Sequence, residues 1–310
     1  MSRIHDALKR AEQERSGSQV IGVEVEKPVE PSAAGPVPVM PTMEFGLGQG
    51  GAATPLFPSP ITFDAMLKRC SQSVWTPDKG TMLFFDEQEP ACGSEEFRTL
   101  RARLFELREK LPLRKILVAS SLPREGRSYI AANLAQVIAL QPGCRALLID
   151  ADLRNSALHA VLGTFSTPGL SEYLVGKADE FSIIQRGQME NLFLIPSGAP
   201  VSGQSELVSN GRLKSLLDRV EPLFDWIIVD SPAAIPVSDA GLIANLCDGV
   251  LMVVRCKSTS FDIVRKARQR FRDDRVVGVV LNGTQGEPHL QVRHYSHASE
   301  RIAAPTEIRG

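Results

Sequence analysis

Residues 116–133 of this chain, I-L-V-A-S-S-L-P-R-E-G-R-S-Y-I-A-A-N, limit what it can fold into more than any other stretch. An apolar run, Ile116 to Ala119, enters a short loop of Ser, Pro, Glu and Gly. A small-residue amphipathic pattern (Ile130, Ala131, Leu134, Ala135, Val137, Ile138) leaves it. Strand, tight loop and helix in that order gather backbone N–H groups and a helix N-terminus around one point, which is an anion site. The spacing is that of a phosphate loop, G-x-x-x-x-G-K-[ST] in its common form. Here it reads Ser121-L-P-R-E-Gly126-Arg127-Ser128, with Ser121 at the first glycine and Arg127 at the lysine. Spacing alone also fits a loop that merely turns into a core helix, so the strands downstream must decide.

Those strands favour the phosphate site. After Gly143 the run R-A-L-L-I-D ends in Asp150-Ala-Asp152-Leu-Arg154, and W-I-I-V-D (226–230) ends in Asp230 before S-P-A-A. Further apolar runs lie at 191–198, 249–255 and 276–282, and helical patterns at 158–162, 206–220, 238–247 and 260–272 separate them. P-G-L-S-E-Y-L (168–174) reads as a turn into a short helix. Near-continuous apolar strands are expected where helices cover both sheet faces. The alternation predicts an α/β fold: a doubly wound, mostly parallel sheet flanked by helices. Ligands of such sheets bind beyond the carboxyl ends of the strands. There the loop, the Asp150/Asp152 pair and Asp230 converge. A triphosphate with Mg²⁺ needs amides for its phosphates, a hydroxyl and a carboxylate for the ion, and a carboxylate to take a hydroxyl proton.

The rest of the chain frames that domain. Residues 1–15 carry Ile4, Ala7, Leu8 and Ala11 at helical spacing, which predicts a short amphipathic helix, a frayed end or a docking peptide. Residues 16–60 turn to Pro, Gly, Ala and Val and read as a flexible tether. Residues 61–93 hold scattered hydrophobes that fix no element, the domain is expected over 94–284, and the tail 285–310 is polar and expected to be disordered. Ser94 is expected to cap a helix with Glu95 and Glu96 in its first turn and Phe97, Leu100, Leu104 and Leu107 as its apolar stripe. Arg98 and Arg101 follow Glu95 at three-residue steps, as on a solvated, self-paired face.

At 310 residues with 43% hydrophobic content the chain can bury a sizeable core, and a net charge of −1 names no partner. The basic residues of 265–272 fit a solvated face, so no nucleic acid is expected. Five cysteines without C-x-x-C pairing suit a reducing, cytoplasmic setting. No run approaches the ~18 apolar residues of a membrane span, so any membrane connection is expected through a partner.

Taken together, the motifs resemble the bacterial tyrosine kinases of capsule and exopolysaccharide systems, within the deviant phosphate-loop ATPases. S-S-L-P-R-E-G-R-S stands beside that family's S-x-x-P-G-E-G-K-S. L-L-I-D-A-D-L-R-N-S-A-L-H is similar to L-L-I-D-A-D-L-R-x-P-x-x-H, and I-I-V-D-S-P-A to I-I-D-T-P-P; I-P-S-G (195–198) and V-L-N (280–282) also fit. The resemblance implies ATP and Mg²⁺ as cofactors. The loop would hold the nucleotide through Ser121, Pro123, Arg124, Glu125, Gly126, Arg127, Ser128 and Tyr129, with Asn282 at the purine. Ser128, Asp150 and Asp230 would serve the metal, and Asp150, Asp152 and Arg127 the chemistry. Glu95, Arg98 and Arg101 match an E-x-x-R-x-x-R pattern associated with a homo-oligomeric ring, and the partner implied is a separate membrane-spanning polysaccharide chain-length or export protein.

Three departures bear on activity. Arg127 replaces the phosphate-binding lysine, and a planar guanidinium is no equivalent of an ammonium. Arg124 stands where the family has glycine, and a position needing positive φ would strain it. The tail offers only Tyr295 as an acceptor, since Tyr129 and Tyr173 read as packing residues. Two functions remain open at this point: a kinase that binds ATP–Mg²⁺ and phosphorylates tyrosine, or a catalytically impaired pseudokinase acting by docking. A partition-type ATPase would carry a lysine where this chain has Leu122.

Overall fold

The computed structural model describes residues 62–85 and 93–284. The expected N-terminal helix, tether and tail, Tyr295 included, lie outside them. The centre is built from three strands buried along their whole length, β2 (Lys115–Ser120), β3 (Ala146–Asp150) and β6 (Trp226–Asp230). Around them stand β1 (Ser71–Gln72), β4 (Gln185–Arg186), β5 (Leu192–Ile195), β7 (Gly249–Arg255) and β8 (Val276–Asn282). The sheet order is β1-β4-β5-β3-β6-β2-β7-β8, and every pair is parallel except β4 with β5.

Strand side chains alternate between faces, so the sheet splits the core in two. Leu117, Ala119, Leu147 and Ile149 join one cluster, while Ile116, Val118, Ala146 and Leu148 join the other. On the second face lie α2 (Ser94–Lys110) and α3 (Arg127–Ala139), with α3 buried from Ile130 to its end. Ala131, Ala132 and Ala135 let α3 lie close to the strands, and Leu134 is fully buried there. Truncating such a leucine costs about 2–5 kcal/mol. The first face is covered by α7 (Arg212–Val220) through Leu213, Leu216 and Leu217, and by α8 (Asp239–Ala244) through Ala240 and Ile243. The short helices α4 (Leu158–Leu162), α5 (Leu170–Leu174) and α6 (Gln204–Ser209) and the longer α9 (Phe261–Arg268) complete the connections.

Several expectations shift. Gly93, at φ 99°, occupies the cap position of α2, and Ser94 is its first helical residue with no capping bond, because the chain enters in a left-handed conformation. The helix expected over 206–220 breaks into α6 and α7 at Asn210-Gly211, where Gly211 has φ 84°. The helices expected over 238–247 and 260–272 shorten to α8 and α9, and the strand expected over 191–198 to β5.

The described part of the approach segment belongs to the domain. It forms α1 (Phe63–Arg69) and β1, and its Trp75, Met82 and Phe84 are buried. Two amide side chains hold its backbone. Gln188 accepts from Trp75 N (3.1 Å) and donates to Trp75 O (2.8 Å). Asn133 of α3 accepts from Leu83 N and donates to Thr81 O, both at 2.9 Å.

Candidate functional site

The central strands β3, β6 and β2 are neighbours, and Asp150 and Asp230 end adjacent strands in direct register. Their carboxylates therefore meet at the carboxyl edge of the sheet, beside the loop that joins β2 to α3. The loop is held from its far side. Glu125 is buried, and its carboxylate accepts from Leu122 N (2.7 Å), from the Thr259 hydroxyl and from Arg255 N (3.4 Å). Arg255 donates to Arg124 O at 3.2 Å, and Asn282 donates to Glu125 O at 2.9 Å. Gly126 has φ 93°, and a Cβ there would lie 1.9 Å from Asn282 Nδ2, so only glycine fits. Arg124 does adopt positive φ, at 65°. A left-handed conformation costs a residue with a Cβ about 1–2 kcal/mol.

Arg127 does not point out toward a ligand. Its guanidinium turns inward, where Nε donates to Asp230 Oδ1 at 2.6 Å and Nη2 to Asp152 Oδ2 at 2.6 Å. Nη1 donates to Ser120 Oγ at 3.3 Å. The side chain is 9% exposed, its carboxylate partners 5% and 1%, so these are buried ion pairs. Asp150 is engaged differently, accepting from Asp152 N and from Ala157 N and Leu158 N at the start of α4, all at 3.2 Å. Asp152 Oδ1 accepts from Arg154 N (3.2 Å) and Asn155 N (3.0 Å).

The electrostatics follow from burial and crowding. Burial pushes the Asp150 carboxyl up to about 8, and neighbouring Asp230 adds to the effect. Burial also raises Asp230, against the pull of Arg127 and the Ser128 hydroxyl. Burial disfavours the charge on Arg127, but Asp230 and Asp152 outweigh it and hold the guanidinium above its usual range.

A divalent metal does not fit these residues as they stand. Mg²⁺ demands near-octahedral oxygen ligation at about 2.0–2.1 Å, supplied in part by carboxylates. Five of the six oxygens of Asp150, Asp152 and Asp230 already accept hydrogen bonds, and the sixth, Asp230 Oδ2, is buried without a partner. A cationic guanidinium lies on two of the three groups. Among the described residues no group of three or more His, Cys, Asp or Glu side chains is arranged to hold a metal.

Ser121, Pro123, Arg124, Gly126 and Ser128 are thus gathered at one loop with the three aspartates. Ser121 Oγ is buried without a partner. Tyr129 packs edge-on against Phe97 at 5.8 Å, between α3 and α2. On α2, Arg98 pairs with Glu95, while Arg101 donates to Val137 O (2.8 Å) near the end of α3. Sequence reasoning passed over Ser120, although it directly precedes Ser121; its hydroxyl links Arg127 to Leu122 O (2.9 Å). It also passed over the network of Arg154, Asp239 and Ser205. Arg154 donates twice to Asp239 Oδ2 (3.1 Å) and once to Ser205 Oγ (3.0 Å), and Ser205 donates to Asp239 Oδ1 (2.5 Å). No local pattern marks Thr259, which reaches Glu125 from far along the chain.

The chain is similar to known proteins over this region. A family model described as an AAA domain matches residues 123–271. The chain is 30% identical over 207 residues to the tyrosine-protein kinase YwqD of Bacillus subtilis, an alignment covering 66% of this chain and 87% of that protein. It is 34% identical over 196 residues to the succinoglycan biosynthesis transport protein ExoP of Rhizobium meliloti, covering 62% of this chain and only 25% of ExoP. Among solved structures it resembles the kinase domain of the Escherichia coli tyrosine kinase ETK, with a TM-score of 0.62 and 28% identity over 67% of this chain and 82% of that one.

Proposed function

The chain belongs to the bacterial tyrosine-kinase family linked to capsule and exopolysaccharide systems, and from that premise we propose that it is an impaired member, a regulatory or assembly subunit that transfers no phosphate. The observation that carries this reading is the Arg127 guanidinium on Asp152 and Asp230, the carboxylates a kinase of this family needs for metal and acceptor. Loss of catalysis does not require loss of the fold, because the loop is held by Glu125, Arg255, Thr259 and Asn282 rather than by a ligand. Misplacing charge in a dry site costs several kcal/mol, and about 4 kcal/mol is a thousandfold in rate.

As a subunit of a polysaccharide system the chain acts through contacts. The partner we infer is a membrane-spanning export or chain-length protein, since ExoP is named a transport protein and no described helix is long and apolar enough to cross a membrane. Residues 1–15 are the proposed docking peptide, and Glu95, Arg98 and Arg101 the proposed contact for a homo-oligomeric ring.

The test measures ATP–Mg²⁺ binding by calorimetry and phosphotyrosine by mass spectrometry, on the native chain and on Arg127→Lys with Arg124→Gly. The native chain is expected to stay unlabelled, at Tyr295 included, while the double variant gains Mg²⁺-dependent nucleotide binding. Label on Tyr295 of the native chain would overturn the proposal in favour of an active kinase.

A further inference from the structure

The site's carboxyl groups are buried and clustered, and a guanidinium lies on two of them, yet the residues around them do not fit a metal. We propose that Arg127 is the resident cation of this site: its guanidinium takes the place of a divalent ion, tying the ends of β2, β3 and β6 together whether or not nucleotide is present. The inference deepens the regulatory reading and rests on it, but it concerns what holds the site shut rather than whether phosphate is transferred.

The geometry carries it. A divalent ion in such a site would bridge the loop to aspartates on two strands. Arg127, the first residue of α3, makes that bridge: Nε reaches Asp230 at the end of β6 and Nη2 reaches Asp152 just past β3, each at 2.6 Å, while Nη1 reaches Ser120 at the end of β2. A guanidinium offers N–H donors in a fixed planar fork, so one group can satisfy several acceptors that point inward from different elements. A lysine ammonium is a compact point charge on a flexible stem and lacks that fork. Removing Arg127 would uncover three oxygens that converge on one hollow (Asp230 Oδ1, Asp152 Oδ2 and Ser120 Oγ), with the unpartnered Asp230 Oδ2 beside them. Oxygen-rich and negatively charged, that hollow suits a hard cation.

The experiment is a metal titration without nucleotide, read by thermal unfolding of the whole chain. MgCl₂ at millimolar concentration, against EDTA, is expected to leave the native melting temperature unmoved, since the cation position is filled. Arg127→Ala is expected to melt on the order of 10 °C lower in EDTA, and to regain several degrees in MgCl₂ through binding to the folded state alone. Arg127→Lys, which keeps a charge but loses the fork, should fall between and respond little to Mg²⁺. If Arg127→Ala folds only when MgCl₂ is present, that is the same rescue in stronger form. Native protein stabilised by Mg²⁺ alone would overturn the inference. So would an Arg127→Ala chain that is indifferent to Mg²⁺, or that fails to fold with or without it. None of these results depends on phosphotyrosine, so the regulatory reading and the resident-cation reading can fail separately.

Discussion

Two sets of arginine–carboxylate pairs in this molecule differ sharply in solvation. On α2, Glu95 and Arg98 pair one turn apart, with side chains 76% and 44% exposed. At the centre, Arg127 pairs with Asp152 and Asp230, all nearly sealed from water. The chemistry is the same, but water screens the first pair and cannot replace the partners of the second. An exposed pair is worth about 0.2–1 kcal/mol, whereas removing one member of a buried pair costs about 3–5 kcal/mol because its partner is left charged and unsolvated. The contrast separates a charge that shapes the fold from one that only decorates its surface.

The sharpest way to break the contrast is at its buried end. Arg127→Ala should lose about 3–5 kcal/mol in urea unfolding at neutral pH in EDTA. A loss below about 1 kcal/mol would mean that water enters the cluster and that the two pairs are alike after all.

The same burial gives the central site a pH dependence of its own. Asp150 keeps its proton in the folded chain up to about 8, while an unfolded aspartate releases it near ~3.9. Unfolding between those limits therefore releases a proton. The contribution of Asp150 is full below the unfolded value and drains away as pH rises toward 8. Urea unfolding across that range should show stability falling as pH rises, with a shallower slope for Asp150→Asn. An unchanged slope in that variant would assign the proton elsewhere.

Much of this fold can be read from the chain because its central strands are apolar runs, two of them ending in aspartate, and because a loop of fixed spacing joins the third to a helix. Asp150, Asp230 and the Ser121–Ser128 loop could be placed at one sheet edge on that ground alone. The approach segment could not, since β1 is only two exposed residues and the backbone beyond it, at Trp75, Thr81 and Leu83, is secured by Gln188 and Asn133 from distant parts of the chain. The direction of Arg127 was equally hidden. Residue type and spacing set it in the lysine position, but its orientation is decided by carboxylates at the end of β6 and just past β3. Gly93 and Gly211 likewise take positive φ at helix starts where the local pattern suggested a serine cap and an unbroken helix.

A smaller effect is expected at Arg124, which shares the loop with Arg127 but faces solvent. Its φ of 65° is left-handed, and its carbonyl rather than its side chain is used, by Arg255. Arg124→Gly should therefore stabilise the chain by up to about 1 kcal/mol, the relief of the left-handed strain less the extra freedom glycine gives the unfolded chain. Destabilisation instead would show that the guanidinium makes a contact worth more than the strain it sits in.

The smallest effect on stability belongs to the surface pair, and there it separates folding from assembly. Arg98→Ala should change unfolding free energy by no more than about 0.5 kcal/mol, because Glu95 returns to water at little cost. Arg101 differs from its neighbour in that it donates to Val137 O and is partly committed to holding α2 on α3. If α2 is an assembly face, Arg98→Ala lowers the mass in solution, by light scattering, while the melting curve stays in place. A fall in mass that appears only with Arg101→Ala, and together with a lower melting temperature, would trace the change to α2–α3 packing and remove Arg98 from the proposed contact.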